Sequence, residues 1–369
     1  MEREKKNTGL YVFVAILCVL VLGLGGYIVY DKVLSKPSQN ENNDTTNNQI
    51  NDTTNNQINN NDSKKIADSI IANNEVITDK VDFSNTNGKA GLYKQDDYYF
   101  FRGKVENNYL VFGTYNEDTY IYNYELDNKC MLEKKLYTYS NYCLEQSKTK
   151  IASKGENIVW RIMRINSDNT IKLILDGTTK PTPYNEDSYN SNTLKSQNGV
   201  NYNNSTVKST IDEWYSNNIG NTELDKYVVT SAFCNNVSGV QNSTSLYKID
   251  NPTLNCPSEY QINLKAGIIS VDEYIFAGNI PYNRNKDYLN SYLKNDNISA
   301  FWWTMTGDHV YSGMELVYEI DPEGSILSGY VTSPRNTNNP RVARPVITLS
   351  SDLTITGSGT QNDPYKIVK

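Results

Sequence analysis

The apolar and polar positions of the chain fall into three regimes. Residues 9–30, GLYVFVAILCVLVLGLGGYIVY, contain no charge. At about 1.5 Å of rise per residue, a helix over them would reach about 33 Å, enough to cross a bilayer core. Residues 31–63 reverse the pattern. From residue 37 they are mostly Asn, Thr, Gln and Asp, and the octapeptide NDTTNNQI at 43–50 repeats at 51–58. Such a tract has nothing to bury, so it reads as a disordered stalk. Residues 64–90 hold a weak helical pattern in Ile66, Ile70 and Ile71, and from 91 onward short alternating runs take over.

Within 91–369 the clearest strand is 158–165, IVWRIMRI. Alternation sets Ile158, Trp160 and Ile162 on one face and Val159, Met163 and Ile165 on the other. A Ser-Asp-Asn turn at 167–169 leads to a second strand at 171–175, giving a hairpin that is largely apolar on both faces and hence central. Further strands are predicted at 98–103, 108–113, 314–320, 326–331, 342–349 and 353–356, with an Asp-Pro-Glu-Gly turn at 321–324. Helices are few. Asn204 or Ser205 caps one that lines up Val207, Ile211, Trp214 and Tyr215. Ser270 and Glu273 form a capping box, Ile269 and Tyr274 stand at staple positions, and Gly278 ends that helix. A further helical turn or two is expected within 285–295. The fold class is α+β: a single N-terminal transmembrane helix, a disordered linker, then an antiparallel-sheet-rich domain with a few short helices. The glycines at 357 and 359 sit in a turn, because no strand–loop–helix unit surrounds them.

Charge and composition sharpen this picture. The formal charge is −7, with one His, and residues 31–369 carry −8 of net charge. An acidic chain without a basic block is a poor nucleic-acid partner. One His excludes a multi-His metal site. Arg3, Lys5 and Lys6 precede the apolar run, so the N-terminus is expected in the cytoplasm and the remainder outside. No Ala-x-Ala site ends the run, and Leu17 precedes Cys18 where a lipobox needs a small residue. The expected organisation is a cytoplasmic stub at 1–8, a signal anchor at 9–30, a stalk at 31–63, a juxta-domain segment at 64–90 and an extracellular domain at 91–369. A cysteine-containing insertion occupies 114–157. The location is then the cell membrane, single-pass, with the bilayer as one partner.

Outside the anchor lie Cys130, Cys143, Cys234 and Cys256. An even number in an exported segment argues for disulfides, and sequential pairing joins Cys130 to Cys143 and Cys234 to Cys256. A four-thiolate zinc site would need close pairs two to four residues apart, and none exist.

The order of several pieces resembles a family of uncharacterised surface proteins of Firmicutes and related low-GC bacteria. The pieces are YYFFRGKVENNYLVF (98–112), WRIMRINSDNTIKLILDG (160–177), STIDEWY (209–215), KYVVTSAFCNN (226–236), GIISVDEYIFAG (267–278), FWWTMT (301–306) and ARPVITLSSDLTITGSGTQNDPYKI (343–367). The family is often anchored by one N-terminal helix. More distantly it resembles domains with a C-type-lectin-like or sulfatase-modifying-enzyme-like fold, in which an Arg-Pro pair, here Arg344-Pro345, precedes a core strand. It implies no particular activity.

No catalytic set stands out. His309 has no partner motif, and Asp272 and Glu273 point about 100° apart on a helix, with Glu273 already used by the capping box. Catalysis is therefore disfavoured and no cofactor is called for. Oxygen-rich stretches at 166–169 and 362–363 are where calcium would sit. Trp302 and Trp303, with Phe301, Tyr288, Tyr292 and Tyr311 nearby, form an aromatic cluster. Neighbouring tryptophans in a strand face opposite ways, so either one lies in the core and the other covers a ligand groove, or both are buried. The leading functional expectation is a membrane-anchored extracellular binding or adhesion protein for a glycan or surface-protein ligand. A cell-wall-acting or modifying enzyme and the ectodomain of a surface sensor complex are the alternatives.

Overall fold

The computed structural model describes residues 65–83, 88–122, 148–185, 201–235, 252–279, 291–298, 300–311, 314–330 and 341–368. All lie in the unit Asn61–Lys369. The strands are β1 (Val76–Ile77), β2 (Gly91–Gln95), β3 (Tyr98–Arg102), β4 (Tyr109–Thr114), β5 (Thr119–Tyr122), β6 (Lys148–Ala152), β7 (Asn157–Ile165), β8 (Ile171–Leu175), β9 (Ser231–Cys234), β10 (Gln261–Leu264), β11 (Ala266–Gly267), β12 (Phe301–Tyr311), β13 (Met314–Ile320), β14 (Ile326–Tyr330), β15 (Arg341–Val342), β16 (Val346–Leu349), β17 (Thr354–Thr356) and β18 (Tyr365–Val368). The α-helices are α1 (Ile66–Ala72), α2 (Thr206–Tyr215) and α3 (Val271–Phe276).

The main sheet runs β1-β2-β3-β7-β4-β18-β17 and branches from β7 through β8 and β16 to β11. β7 serves three neighbours because it is nine residues long. One edge pairs with β4 through residues 157–161 and with β3 through Arg164 and Ile165, while the other pairs with β8. A second sheet runs β14-β13-β12-β15, and β9–β10 and β5–β6 are separate ribbons. The sheets are mixed rather than antiparallel throughout: β1–β2, β4–β18 and β12–β15 are parallel pairs. The α+β expectation stands in that corrected form.

A bulge in β7 decides what each sheet face carries. The register against β8 shifts between Ile162 and Arg164, leaving Met163 as the extra residue. A one-residue insertion turns every later side chain to the other face. Ile165 therefore shares a face with Trp160 and Ile162, not with Val159 as strict alternation requires. By the same shift Arg164 joins Arg161 on the opposite face.

The apolar face is covered by α1 and α2. Ile66, Ile70, Val207 and Ile211 share one buried cluster with Trp160, Ile162 and Leu173. Each such side chain contributes about 1.5–3 kcal/mol through burial. The Trp160 ring meets Trp214 edge-on at 5.7 Å, and its Nε1 donates to the Phe112 carbonyl at 2.8 Å. α2 starts at Ser205, whose Oγ accepts from the Lys208 amide, and it runs on into a π-helical turn, Ser216–Gly220. There the Asn218 side chain donates to the Trp214 carbonyl and accepts from the Asn116 amide, tying the wider turn to α2 and to the end of β4. α3 lies over the other face. Its capping box is complete, and it gives way to Gly278 at φ 114, a left-handed position that favours glycine. Of the 285–295 expectation, residues 291–298 form turns instead of a helix, with Lys294 N donating to Ser291 O and Ile298 N to Asn295 O. Residues 285–290 lie outside the described residues.

The stub at 1–8, the anchor at 9–30 and the stalk at 31–63 also lie outside the described residues. Among the described residues no helix is long and apolar enough to cross a membrane. α2, with ten residues, reaches about 15 Å. The transmembrane helix in the expected fold class is corrected accordingly. Cys234 and Cys256 are disulfide-bonded, with Cα atoms 5.5 Å apart. Cys130 and Cys143 fall outside the described residues, between the two strands of the β5–β6 ribbon.

Candidate functional site

The face of the main sheet beneath α3 is unusually cationic for an interior. Registers place Arg161, Arg164 and Lys172 on it, with Arg102 from β3 and Arg344 just ahead of β16. Arg102, Arg161, Lys172 and Arg344 are buried, and the Arg164 side chain is only 11% exposed. Among the described residues, Glu273 and Asp176 form ion pairs with them. Asp272, also buried, lies beside Glu273 on α3. Five cations thus gather on one interior face, with Asp82 and Glu106 also acting on Arg102 and Arg161, in a chain whose overall charge is −7.

At the centre lies a triad. Lys172 Nζ donates to Glu273 Oε1 at 2.6 Å, and Arg164 Nη1 approaches the same oxygen at 3.3 Å. The other oxygen, Oε2, accepts from the Ser270 amide at 3.1 Å, so one side chain closes the α3 cap and neutralises a buried cation. The Lys172 side chain is 2% exposed, and the Phe233 ring covers its ammonium at 4.2 Å. Burial drives the Lys172 pKa down to about 8, although Glu273 opposes the shift. Burial acts in the opposite sense on Glu273, but Lys172 and Arg164 outweigh it and hold the carboxyl below its ordinary value. Phe233 reaches Lys172 only because position 267 is glycine. A Cβ there would lie 2.7 Å from two of the ring carbons.

The other cations are held by carbonyls and aromatic faces. Arg161 Nε donates to Asn108 Oδ1 at 2.7 Å and Nη2 to Val105 O at 2.8 Å, with the guanidinium 3.7 Å from the Tyr109 ring centroid. Arg344 donates twice to Leu175 O and once to Leu293 O, and it lies 3.8 Å from Asp176. Arg102 Nη1 donates to Ile275 O and Phe276 O, the negative end of α3. Burial lowers the pKa of all three, that of Arg344 to about 10.

The row reaches solvent at Arg164. Its Nε donates to Asn166 Oδ1 at 2.7 Å, and its guanidinium stands 5.7 Å from the Tyr98 ring centroid. Tyr98 in turn donates to Asn255 Oδ1 at 3.1 Å. Among the described residues nothing accepts a hydrogen bond from Arg164 Nη2.

Of the two arrangements weighed for the aromatic cluster, the structure has the buried one. Trp302 and Trp303 do face opposite ways, yet both are buried, at 5% and 1% exposure. Trp302 meets Tyr274 edge-on at 5.4 Å beneath α3, with Arg344 5.1 Å from its ring. Trp303 meets Tyr184 at 5.6 Å, and its Nε1 donates to Thr182 O at 2.9 Å. The second sheet is covered on both faces at this point, which rules out an exposed indole on a groove. Tyr292 is buried too, with its ring 5.4 Å from the Arg161 guanidinium. Tyr288 lies outside the described residues, and Tyr311 ends β12, which also contains His309. The oxygens weighed for calcium are taken up in turns. Asn166 accepts from Arg164, Asp168 binds Thr170, and Asp363 Oδ2 accepts from the Ser358 amide. Among the described residues no three His, Cys, Asp or Glu side chains group as a metal site.

Glu273 was visible in the sequence as a capping residue and Asp272 as its neighbour, but they diverge: Asp272 accepts from the Thr253 amide at 3.0 Å. Arg161, Arg164, Lys172 and Arg344 escaped the sequence reading of function. The available signal was the presence of Arg and Lys within strands otherwise apolar on both faces.

No family model, no curated protein and no solved structure matches this chain. The resemblance to membrane-anchored surface proteins of low-GC bacteria, and to C-type-lectin-like or sulfatase-modifying-enzyme-like domains, is therefore withdrawn. The readings that rested on it and on the anchor are withdrawn as well: the single-pass membrane location with an extracellular domain, the bilayer partner, glycan or surface-protein adhesion, and the wall-enzyme and sensor alternatives.

Proposed function

We propose that this protein is a non-catalytic binding domain that takes the carboxylate or phosphoryl group of a small anionic ligand at the Arg164 end of the cationic face. One observation carries the reading. The row of buried cations ends at Arg164, whose Nη2 has no hydrogen-bond acceptor among the described residues. A planar guanidinium suits a two-oxygen anion, and Tyr98, Asn166 and Asn255 rim the position with an aromatic face and amides. A non-catalytic role is favoured because Lys172, whose pKa burial brings down to about 8, is sealed beneath Phe233 and paired with Glu273.

The test is calorimetry and thermal denaturation with phosphate and with citrate at low ionic strength. Saturable binding that raises the melting temperature is expected, because a ligand at about 100 times its Kd adds about 2.7 kcal/mol to stability. Arg164→Gln should abolish the effect, whereas Lys89→Gln, at an exposed pair with Glu75, should leave it intact. No binding by the wild-type protein, or equal binding by Arg164→Gln, overturns the proposal.

A further inference from the structure

A single carboxylate oxygen serves two cations. Glu273 Oε1 accepts from Lys172 Nζ at 2.6 Å and lies 3.3 Å from Arg164 Nη1, while Oε2 is engaged by the Ser270 amide. Register makes the arrangement, because Arg164 of β7 stands opposite Lys172 of β8. One negative charge cannot neutralise both cations. While Lys172 holds its proton, the three side chains carry a net positive charge that comes to the surface at Arg164. The groups facing Lys172 from each element packed on it are few. β7 brings Arg164 and α3 brings Glu273, whereas β16 brings Thr348 and β9 brings Phe233, neither of which titrates. Asp272 of α3 turns away to the Thr253 amide. Tyr292 also acts on Glu273, but burial raises its pKa, so it stays neutral.

We infer that the proton on Lys172 sets the anion affinity of Arg164 through the carboxylate they share. Protonated, Lys172 occupies the charge of Glu273 and leaves that of Arg164 for a ligand. When Lys172 gives its proton to solvent, Glu273 keeps Arg164 as its counter-ion, and the outward-facing charge is cancelled. The chain need not open or rearrange for this, because Arg164 Nη1 already stands within 3.3 Å of the oxygen. Burial brings the Lys172 pKa down to about 8, so the change falls at mildly alkaline pH. The coupling is reciprocal: an anion at Arg164 must in turn make Lys172 harder to deprotonate. At an effective dielectric of about 20, one unit charge gained or lost roughly 10 Å from a bound anion changes its affinity by about tenfold. As regulation of the anion site, the linkage rests on the function proposed above.

The experiment is calorimetric titration of the whole protein with citrate at low ionic strength, in steps from about pH 7.5 to about pH 9.5, where all three citrate carboxyls stay ionised. Wild-type affinity should fall by about tenfold across that range. Lys172→Met has no proton to lose and should bind at the weak, alkaline level throughout. Glu273→Gln should move the other way: at about pH 9.5 it should bind citrate more tightly than wild type, because no carboxylate is left to claim Arg164. A role confined to packing would move both variants in the same direction. Circular dichroism at each pH checks that the proteins are folded. In the wild type, NMR of carbon-13-labelled lysine follows Lys172 itself, and its titration midpoint should lie at higher pH in saturating citrate. Equal wild-type affinity at the two ends of the range overturns the linkage and leaves the anion site standing. A fall that persists in Lys172→Met, or a Lys172 midpoint that citrate does not move, does the same. No citrate binding at any pH removes the proposed site and the linkage with it.

Discussion

Glu273 is the residue on which the interior chemistry turns, and Glu273→Gln isolates its charge. The amide keeps a carbonyl oxygen for the Ser270 amide, so the α3 cap survives. What disappears is the counter-ion of Lys172, whose side chain is 2% exposed, and of Arg164. Removing one partner of a buried pair costs about 3–5 kcal/mol, because the charge left behind stays desolvated. Urea denaturation should show a lower midpoint at unchanged slope. Lys172→Met removes the stranded cation, so the double variant should recover about 2–3 kcal/mol of the summed losses, a coupling typical of contacting charges. For contrast, Asp212→Asn breaks the more exposed i,i+4 pair with Lys208 and should cost about 0.3–0.5 kcal/mol. The pH dependence provides a second check. Lys172 is depressed to about 8 in the folded protein against 10.5. Between those values the unfolded chain binds more protons, so this group makes stability rise with pH in that window. As Lys172 loses its proton, the cost of Glu273→Gln should shrink by about pH 9.5, and Lys172→Met should lose the rise. Glu273 acts at the other end: its depressed value adds stability that is lost as pH falls through it. A deficit below about 1 kcal/mol at neutral pH, or one of the same size at about pH 9.5, refutes the triad as the holder of buried charge.

Two further outcomes follow from packing. Gly267→Ala places a methyl 2.7 Å from the Phe233 ring and 3.2 Å from Met305 Cε, so overpacking should cost about 1–3 kcal/mol. Phe233→Leu in the same chain should recover part of the loss, and additive costs would show that the contact is relaxed elsewhere. Trp303→Phe leaves the Thr182 carbonyl without its donor in a buried setting, and a loss of about 1–3 kcal/mol is expected in thermal denaturation. An unchanged melting temperature would place that indole outside the core.

Where local rules govern, the sequence by itself determined the elements. The hairpin of β7 and β8, the Ser205 cap of α2, the capping box of α3 and the strand at Met314–Ile320 all lie where periodicity and capping chemistry put them, because each is decided by residues within one or two turns of chain. The pairing of Cys234 with Cys256 was also legible, since only three pairings were open and one closes a short loop. What followed from distant neighbours was not legible. A single bulge at Met163 reassigns Ile165 and Arg164 between faces, and no local periodicity announces it. Whether Trp302 or Trp303 meets solvent depends on what packs on each side of β12, namely Tyr274 from α3 and Tyr184 from a stretch more than a hundred residues earlier. The parallel pairs β4–β18 and β12–β15 likewise depend on the path of the chain between elements. The cationic face is the fullest case. Arg102, Arg161, Lys172, Glu273 and Arg344 are scattered along the sequence, and only sheet register and the placement of α3 bring them to one surface, where desolvation gives their charges consequence.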